Sequence, residues 1–162
     1  ISLQWYPSSK TSVVLSGNLM NFRFTDYSLN VNGVTANYND NKVPGVPQRR
    51  FFFEIGQEIV KDFNMEVSGE WVGSYFANDA NGGDGPESDF RTDSYFEAQA
   101  RLFKRVNFGN QAIEVYLGIN NLFDSRYFAS VVPNAFRNRF FEPAPGRHYF
   151  GGVSIPMAVF AK

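Results

Sequence analysis

No cysteine occurs in the 162 residues, which excludes thiol catalysis, thiolate metal sites and disulfide staples. Neither sign of charge prevails. Lys plus Arg total 15, Asp plus Glu total 16, and the balance of -1 offers no broad attraction for nucleic acid or for an anionic surface, so nucleic acid is not an expected partner. No run approaches the ~20 consecutive apolar residues of a membrane helix. The start, Ile1-Ser2-Leu3-Gln4-Trp5-Tyr6, lacks the charged leader and apolar core of a signal peptide and reads as the tail of a strand, so the expectation is a fragment. Histidine is scarce as well: the single one, His148, has no cysteine and no serine-nucleophile motif beside it. A structural role is expected for it, and no enzyme, catalytic residue, cofactor or metal site is assigned.

Aromatic residues are abundant instead. They make up 17% of the chain, with Phe 18 and Tyr 8, and they accompany 14 Gly and a negative mean hydropathy, a mixture that suits strands and turns. With 43% hydrophobic residues against 19% charged, the chain is not of disordered composition and has apolar surface to bury.

The alternation is regular. Residues 50–60 set Phe51, Phe53, Ile55 and Ile59 on one face and Arg50, Glu54, Gly56 and Glu58 on the other. After a turn at Lys61-Asp62, Phe63, Met65, Val67, Gly69, Trp71 and Tyr75 stand opposite Asn64, Glu66, Ser68, Glu70 and Ser74, which completes a hairpin. Residues 93–103 set Phe96, Ala98, Ala100 and Leu102 against Asp93, Glu97, Gln99 and Arg101. Residues 113–121 set Ile113, Val115, Leu117 and Ile119 against Glu114, Tyr116, Gly118 and Asn120, and this second hairpin turns within residues 104–111. Residues 126–130 read as a shorter strand. Residues 147–155 read as another, with Tyr149, Gly151, Val153 and Ile155 opposite His148, Phe150, Gly152 and Ser154. Residues 13–25 are extended but change phase between Leu19 and Met20, which predicts a β-bulge near Leu19. Loops are expected over residues 30–47, 77–92 and 131–146, and no helix is predicted. Counting residues 1–6, the reading is all-β, about eight strands in one antiparallel meander spanning 1–162.

Alternating strands fit a soluble lipocalin-like barrel that binds a small apolar ligand, with its apolar face inward, or a membrane barrel with that face toward lipid. Strands of ~9 to 11 residues match the length needed to cross a bilayer at a tilt. The polar faces carry charges of both signs, and Tyr75, Phe76, Tyr95, Phe103 and Tyr149 fall near strand ends as an interfacial girdle would. These features favour the membrane.

The stretch Gly118-Ile119-Asn120-Asn121-Leu122-Phe123-Asp124-Ser125-Arg126-Tyr127 resembles the N-L-F-D-x-x-Y signature near the end of TonB-dependent outer-membrane receptors. Val43-Pro44-Gly45-Val46-Pro47, Tyr75-Phe76-Ala77-Asn78-Asp79 and Glu142-Pro143-Ala144-Pro145-Gly146-Arg147 resemble further marks of that family, in matching order. Physically, Asn121 and Asp124 suit a tight reversal in which Leu122 and Phe123 anchor on apolar surroundings. The resemblance implies the C-terminal portion of a barrel of about 22 strands closed around a plug domain. It also implies the outer membrane of a Gram-negative bacterium, surrounding outer-membrane lipid, and uptake of a ferric siderophore or similar chelate with energy supplied by TonB through a region N-terminal to this chain. It places the Asn121 to Asp124 turn on the periplasmic side and the 131–146 loop outside. The sequence departs from the family at Pro156-Met157-Ala158-Val159-Phe160-Ala161-Lys162, where an aromatic final residue is expected and Pro156 lacks an N–H for the ladder.

Within the outer loop, Phe136, Arg137, Arg139, Phe140 and Phe141 are the expected ligand surface, because guanidinium groups and aromatic rings suit an anionic, partly aromatic chelate. Asn121, Leu122, Phe123, Asp124 and Tyr127 form the signature turn. Residues 78–85 carry oxygen ligands and glycines but miss the EF-hand spacing and its closing Glu. Glu54, Glu58, Glu66, Glu70 and Glu97, with Arg50 and Arg101, are spaced as a hydrated wall requires rather than as acid/base pairs.

Overall fold

The computed structural model describes residues 1–31, 33–82, 90–109 and 111–155. Seven strands form one antiparallel sheet: β1 (Ser2–Ser8), β2 (Thr11–Leu19), β5 (Arg49–Val60), β6 (Phe63–Val72), β7 (Tyr95–Phe108), β8 (Gln111–Asn120) and β11 (His148–Ser154), in the order β1-β2-β5-β6-β7-β8-β11. Two ribbons stand apart from it, β3 (Ser28–Val31) with β4 (Val34–Asn37) and β9 (Phe128–Val131) with β10 (Phe141–Pro143). The helical content of the described residues is a single 3-10 turn, Phe136–Asn138. No helix among them is long and apolar enough to cross a membrane, which does not bear on crossing by strands.

Register carries one apolar set unbroken across the sheet. Leu3 pairs with Leu15, Leu15 with Phe53, Phe53 with Gly69, Gly69 with Ala98; beside them Ala100 pairs with Ile119 and Ile119 with Tyr149. A slip of one residue at any junction would move every side chain of that strand to the wrong face. Glycine permits close packing where rings lie flat: a Cβ on Gly69 would meet Phe53 Cε1 at 2.6 Å and Phe96 Cζ at 2.9 Å, so these two rings cover the glycine backbone. The polar interruptions Thr11, Gln57 and Lys104 fall toward one end, where the Thr11 hydroxyl donates to Gln57 Oε1 at 2.8 Å.

Burial is inverted relative to a soluble sheet. Phe51, Ile55, Ile59, Leu102, Val115 and Leu117 are exposed, while Glu54, Glu58, Glu66 and Glu114 on the opposite face are half-buried. Leu117 is 69% exposed, and the Glu114 side chain retains 21%. A sheet curled toward its polar face gives this result, because side chains crowd on the concave side and splay on the convex one. The compact core lies elsewhere, where the loops meet one end of the sheet: Val72, Tyr75, Ala77 and Phe140 are buried there.

Several expectations are corrected. β2 keeps register to Leu19 without a bulge; the phase changes because the chain leaves the sheet there and residues 20–25 hydrogen-bond to residues 40–48 instead, with Met20 N donating to Gln48 O at 2.8 Å and Phe24 N to Asn41 O at 3.0 Å. The segment expected over residues 126–130 is β9, which pairs with β10 outside the sheet. β7 runs on through Lys104 and Arg105, so the second turn is confined to the Gly109 region. The loop expected over residues 30–47 overlaps the β3–β4 hairpin, which starts at Ser28 and turns at Gly33 with φ +84°. The girdle residues separate: Tyr149 is on the apolar face, Tyr95 and Phe103 are on the polar face, and Tyr75 is buried among the loops. At the loop end of the apolar face the aromatic belt is instead Phe51, Trp71, Phe96, Phe123 and Tyr149. The 156–162 segment that departs from the family lies outside the described residues.

Candidate functional site

The two ends of the sheet differ. β1 and β2, β5 and β6, and β7 and β8 are joined by tight turns at one end, whereas residues 20–48, 73–94 and 121–147 connect strands at the other. These long connections bond to one another. Tyr27 donates to Asp79 Oδ2 at 3.0 Å, Asn41 Nδ2 to Asp79 O at 2.8 Å, Asn81 Nδ2 to Lys42 O at 2.8 Å, Asp79 N to Asn134 Oδ1 at 3.1 Å and Asn134 N to Ala77 O at 3.0 Å. Asp79 is thereby shared by all three loops, and Ala77 beside it is fully buried. Gly45, at φ +75°, donates to Phe76 O at 2.8 Å where a Cβ would meet Pro133 Cγ at 3.0 Å. The bond to Asp79, aided by burial, pushes the Tyr27 hydroxyl pKa up, and burial does the same to Tyr75. The Asx-rich stretch weighed as a calcium loop is a tether here: Asp79 and Asn81 spend their oxygens on neighbouring loops, and residues 83–85 of it lie outside the described residues. Among the described residues no three His, Asp or Glu side chains converge as a metal site requires.

The signature turn clamps the head of β7 from both sides. Leu122 N donates to Ala98 O at 2.7 Å, extending the ladder one step beyond β8. Phe123 then lies 5.9 Å from Phe96 on the apolar face, while Tyr127 stacks on Tyr95 at 4.2 Å on the polar face. Asn121, 1% exposed and at φ 50°, holds the reversal: its Nδ2 donates to Ser125 O at 2.8 Å and Pro145 O at 3.2 Å, and its Oδ1 accepts from Ser125 N at 2.8 Å. Asp124, at φ 54°, accepts from Arg147 N at 2.9 Å. Burial and then the Glu97 carboxylate beside it push the Tyr127 pKa well above the usual tyrosine value. Contrary to the expectation of opposite sides, this turn and the 131–146 loop share one end of the sheet. β8 enters the connection at Asn120, and its antiparallel neighbour β11 leaves it at His148, paired with Asn120.

The five residues expected to form the ligand surface divide. Phe136 is 82% exposed, Arg137 and Arg139 are exposed, and the Arg137 guanidinium lies 5.2 Å from the Phe136 ring centre. Phe140 is buried 4.6 Å from Phe90, and Phe141 packs between Phe128 at 4.6 Å and Phe140 at 6.0 Å. These last two hold the loop in place, whereas the first three face solvent. Next to them, Tyr27, Tyr38, Asp79, Phe90, Asn134 and Phe140 border a cavity of about 360 Å³ between the loops. Tyr27, Asp79, Asn81 and Asn134, which organise this end, were not singled out individually by the sequence.

On the polar face Glu70 and Glu114 are paired with arginines. Arg50 binds Glu70, and Arg101 reaches Glu114 at 2.6 Å while lying 4.6 Å from the Tyr116 ring and 4.9 Å from that of Phe103. His148 has Asn120 Nδ2 at 2.9 Å from Nε2 and Gly146 O at 3.0 Å from Nδ1, so both ring nitrogens have structural partners at the lead-in to β11.

No protein-family model matches the chain. Among solved structures it aligns over 94% of its length with the siderophore receptor PiuA from Acinetobacter baumannii, at a TM-score of 0.73 and 19% identity, covering 20% of that receptor. The ferric-catecholate import receptor Fiu from E. coli, in its closed form, gives a TM-score of 0.65 at 19% identity over 94% of this chain and 19% of the receptor. The unliganded ferric citrate transporter FecA gives 0.65 at 17% identity over 89% and 21%. The chain resembles a fragment of such a receptor. It spans about a fifth of the length of these proteins, and the fold that it shares with them is a partial antiparallel barrel.

Proposed function

We propose that the chain is part of an outer-membrane receptor that imports a ferric siderophore or a similar chelate. The inverted burial supports this reading most directly: an exposed apolar face opposite a charge-lined concave face suits lipid outside and a hydrated lumen inside. A lipocalin-like barrel needs its apolar face inward, so the same observation disfavours it. Strands of 9 to 14 residues in the five central positions, β2 and β5 through β8, are long enough to cross at a tilt. The edges β1 and β11 would each pair with further strands of the same barrel, around a plug domain whose energy comes from TonB.

Short periplasmic turns and long outer loops are the rule in such barrels, which puts the interlocked loops outside the cell. There Phe136, Arg137 and Arg139 would offer two fixed positive charges beside an aromatic ring to an anionic chelate. Thiol labelling of intact cells producing the full receptor tests the orientation. Phe136→Cys should react with a membrane-impermeant maleimide and be protected by the ferric chelate that the receptor takes up, whereas Lys61→Cys, at a tight turn, should react only after the membrane is broken. Reaction at Lys61 but not at Phe136 would reverse the orientation, and labelling indifferent to every ferric chelate would remove the capture role.

A further inference from the structure

Where the apolar face meets the long loops, the chemistry changes from aromatic to cationic. Arg49 is opposite Leu19, and its carbonyl accepts from Gly73 N at 2.9 Å, so alternation sets it on the apolar side next to Trp71. The loops add Lys42, Gln48, Ser74 and Arg91, and the group encloses a cavity of about 310 Å³. Three cations line it and no carboxylate does. Among the described residues none of the three is in a salt bridge. Lys42 and Arg91 are both held against one ring, 5.9 Å and 5.5 Å from the centre of Phe76, and Arg91 Nε donates to Ser74 Oγ at 3.0 Å. Gln48 Nε2 is buried without an acceptor. Positive charges gathered at a low-dielectric surface repel one another, and a buried N–H lacking a partner costs free energy, so both features call for an anion rich in acceptor oxygens.

The position narrows the anion. Trp71 lies 5.7 Å from Phe51 in the aromatic belt, and such belts sit at the depth of lipid headgroups. We propose that this notch binds the phosphate monoester of a phosphorylated outer-leaflet lipid, a group carrying close to two negative charges and three acceptor oxygens. The lipid's acyl chains would then run down the apolar face past Phe51 and Trp71. The proposal rests on the membrane reading above and adds a fixed lipid partner to it.

The test uses the full receptor in detergent with three probes: lipid A, lipid A stripped of its phosphates, and inorganic phosphate. The unaltered receptor should bind lipid A at least roughly tenfold tighter than the stripped form, the worth of one charge-assisted hydrogen bond. The triple substitution Lys42→Gln, Arg49→Gln, Arg91→Gln should abolish that preference. Arg49→Gln alone should reduce it, and because the Arg49 side chain makes no hydrogen bond among the described residues, that variant leaves the loop contacts intact. Equal binding of the two lipids, or a preference that survives the triple substitution, would overturn the proposal. Inorganic phosphate binding as tightly as lipid A would overturn the assignment to a lipid. A parallel Phe53→Cys receptor in bilayers separates the two ideas: labelling by a lipid-soluble maleimide without phosphate preference sinks the notch alone, and no labelling sinks the membrane reading with it.

Discussion

Replacing Asn121 by alanine removes the side chain that ties the signature turn to the start of β11. Its three hydrogen bonds, at 2.8, 3.2 and 2.8 Å, join it to Ser125 and Pro145 in a site that excludes water. At about 1 kcal/mol each they contribute about 3 kcal/mol. Alanine at φ 50° adds about 1 kcal/mol of backbone strain. The turn should therefore open about 4 kcal/mol more easily, roughly a thousandfold in the opening constant. Hydrogen–deuterium exchange of the full receptor reads this at the amides of Leu122 and Arg147, which bond to Ala98 and Asp124 and not to the substituted side chain. Asn121→Gly relieves the strain but not the lost bonds, so its exchange should be slower than that of the alanine variant, by a factor equivalent to about 1 kcal/mol. Acceleration below about threefold at both amides in Asn121→Ala would refute the role assigned to this residue.

Exchanging both Arg137 and Arg139 for alanine should weaken chelate binding by about 1 to 3 kcal/mol in an equilibrium titration, with assembly and heat stability unchanged. Unaltered affinity would hand capture to the plug or to other loops. Phe140→Ala, by contrast, empties a buried site against Phe90 and should cost about 3 to 5 kcal/mol of loop stability in thermal unfolding; a loss below about 1 kcal/mol would contradict the packing. Tyr27, Tyr75 and Tyr127 all have raised pKa values, so they support the loop assembly fully below the ordinary value of 10.0 and lose that contribution as pH rises through their higher folded values. The difference in absorbance titration between the receptor and its Tyr127→Phe variant should show this hydroxyl ionising above pH 10, and a midpoint at or below 10 would refute the burial described.

The strands of the sheet were legible because one face of each is largely apolar. Phe51, Phe53 and Ile55, or Val115, Leu117 and Ile119, admit a single register once a neighbour presents a matching set. What alternation left undecided was which face lies inside, since the same pattern serves a soluble barrel and a membrane one; exposure of Leu117 against shelter of Glu114 favours the membrane arrangement. The loops were less legible, because their order comes from Asn and Asp side chains bonding between segments distant in sequence. Asp79 meets Tyr27 and Asn134 across separations of 52 and 55 residues, and no local spacing announces such a tether. The β3–β4 hairpin had a usable signal in Asn32-Gly33, hidden by the mixed polarity of its four-residue strands. In the 131–146 loop the composition identified arginines and phenylalanines together but could not sort Phe140, which packs inward, from Phe136, which does not. The placing of the signature turn opposite that loop failed for a topological reason, since β8 and β11 are adjacent and antiparallel.

Cysteine scanning of the intact receptor in bilayers tests residue by residue whether the apolar face meets lipid and the polar face meets water. Phe53→Cys, Val67→Cys and Leu117→Cys should react with a lipid-soluble maleimide and resist a water-soluble one, while Glu54→Cys, Glu66→Cys and Glu114→Cys should do the reverse. Labelling with the two sets exchanged would overturn the membrane reading and favour a barrel with its apolar face enclosed.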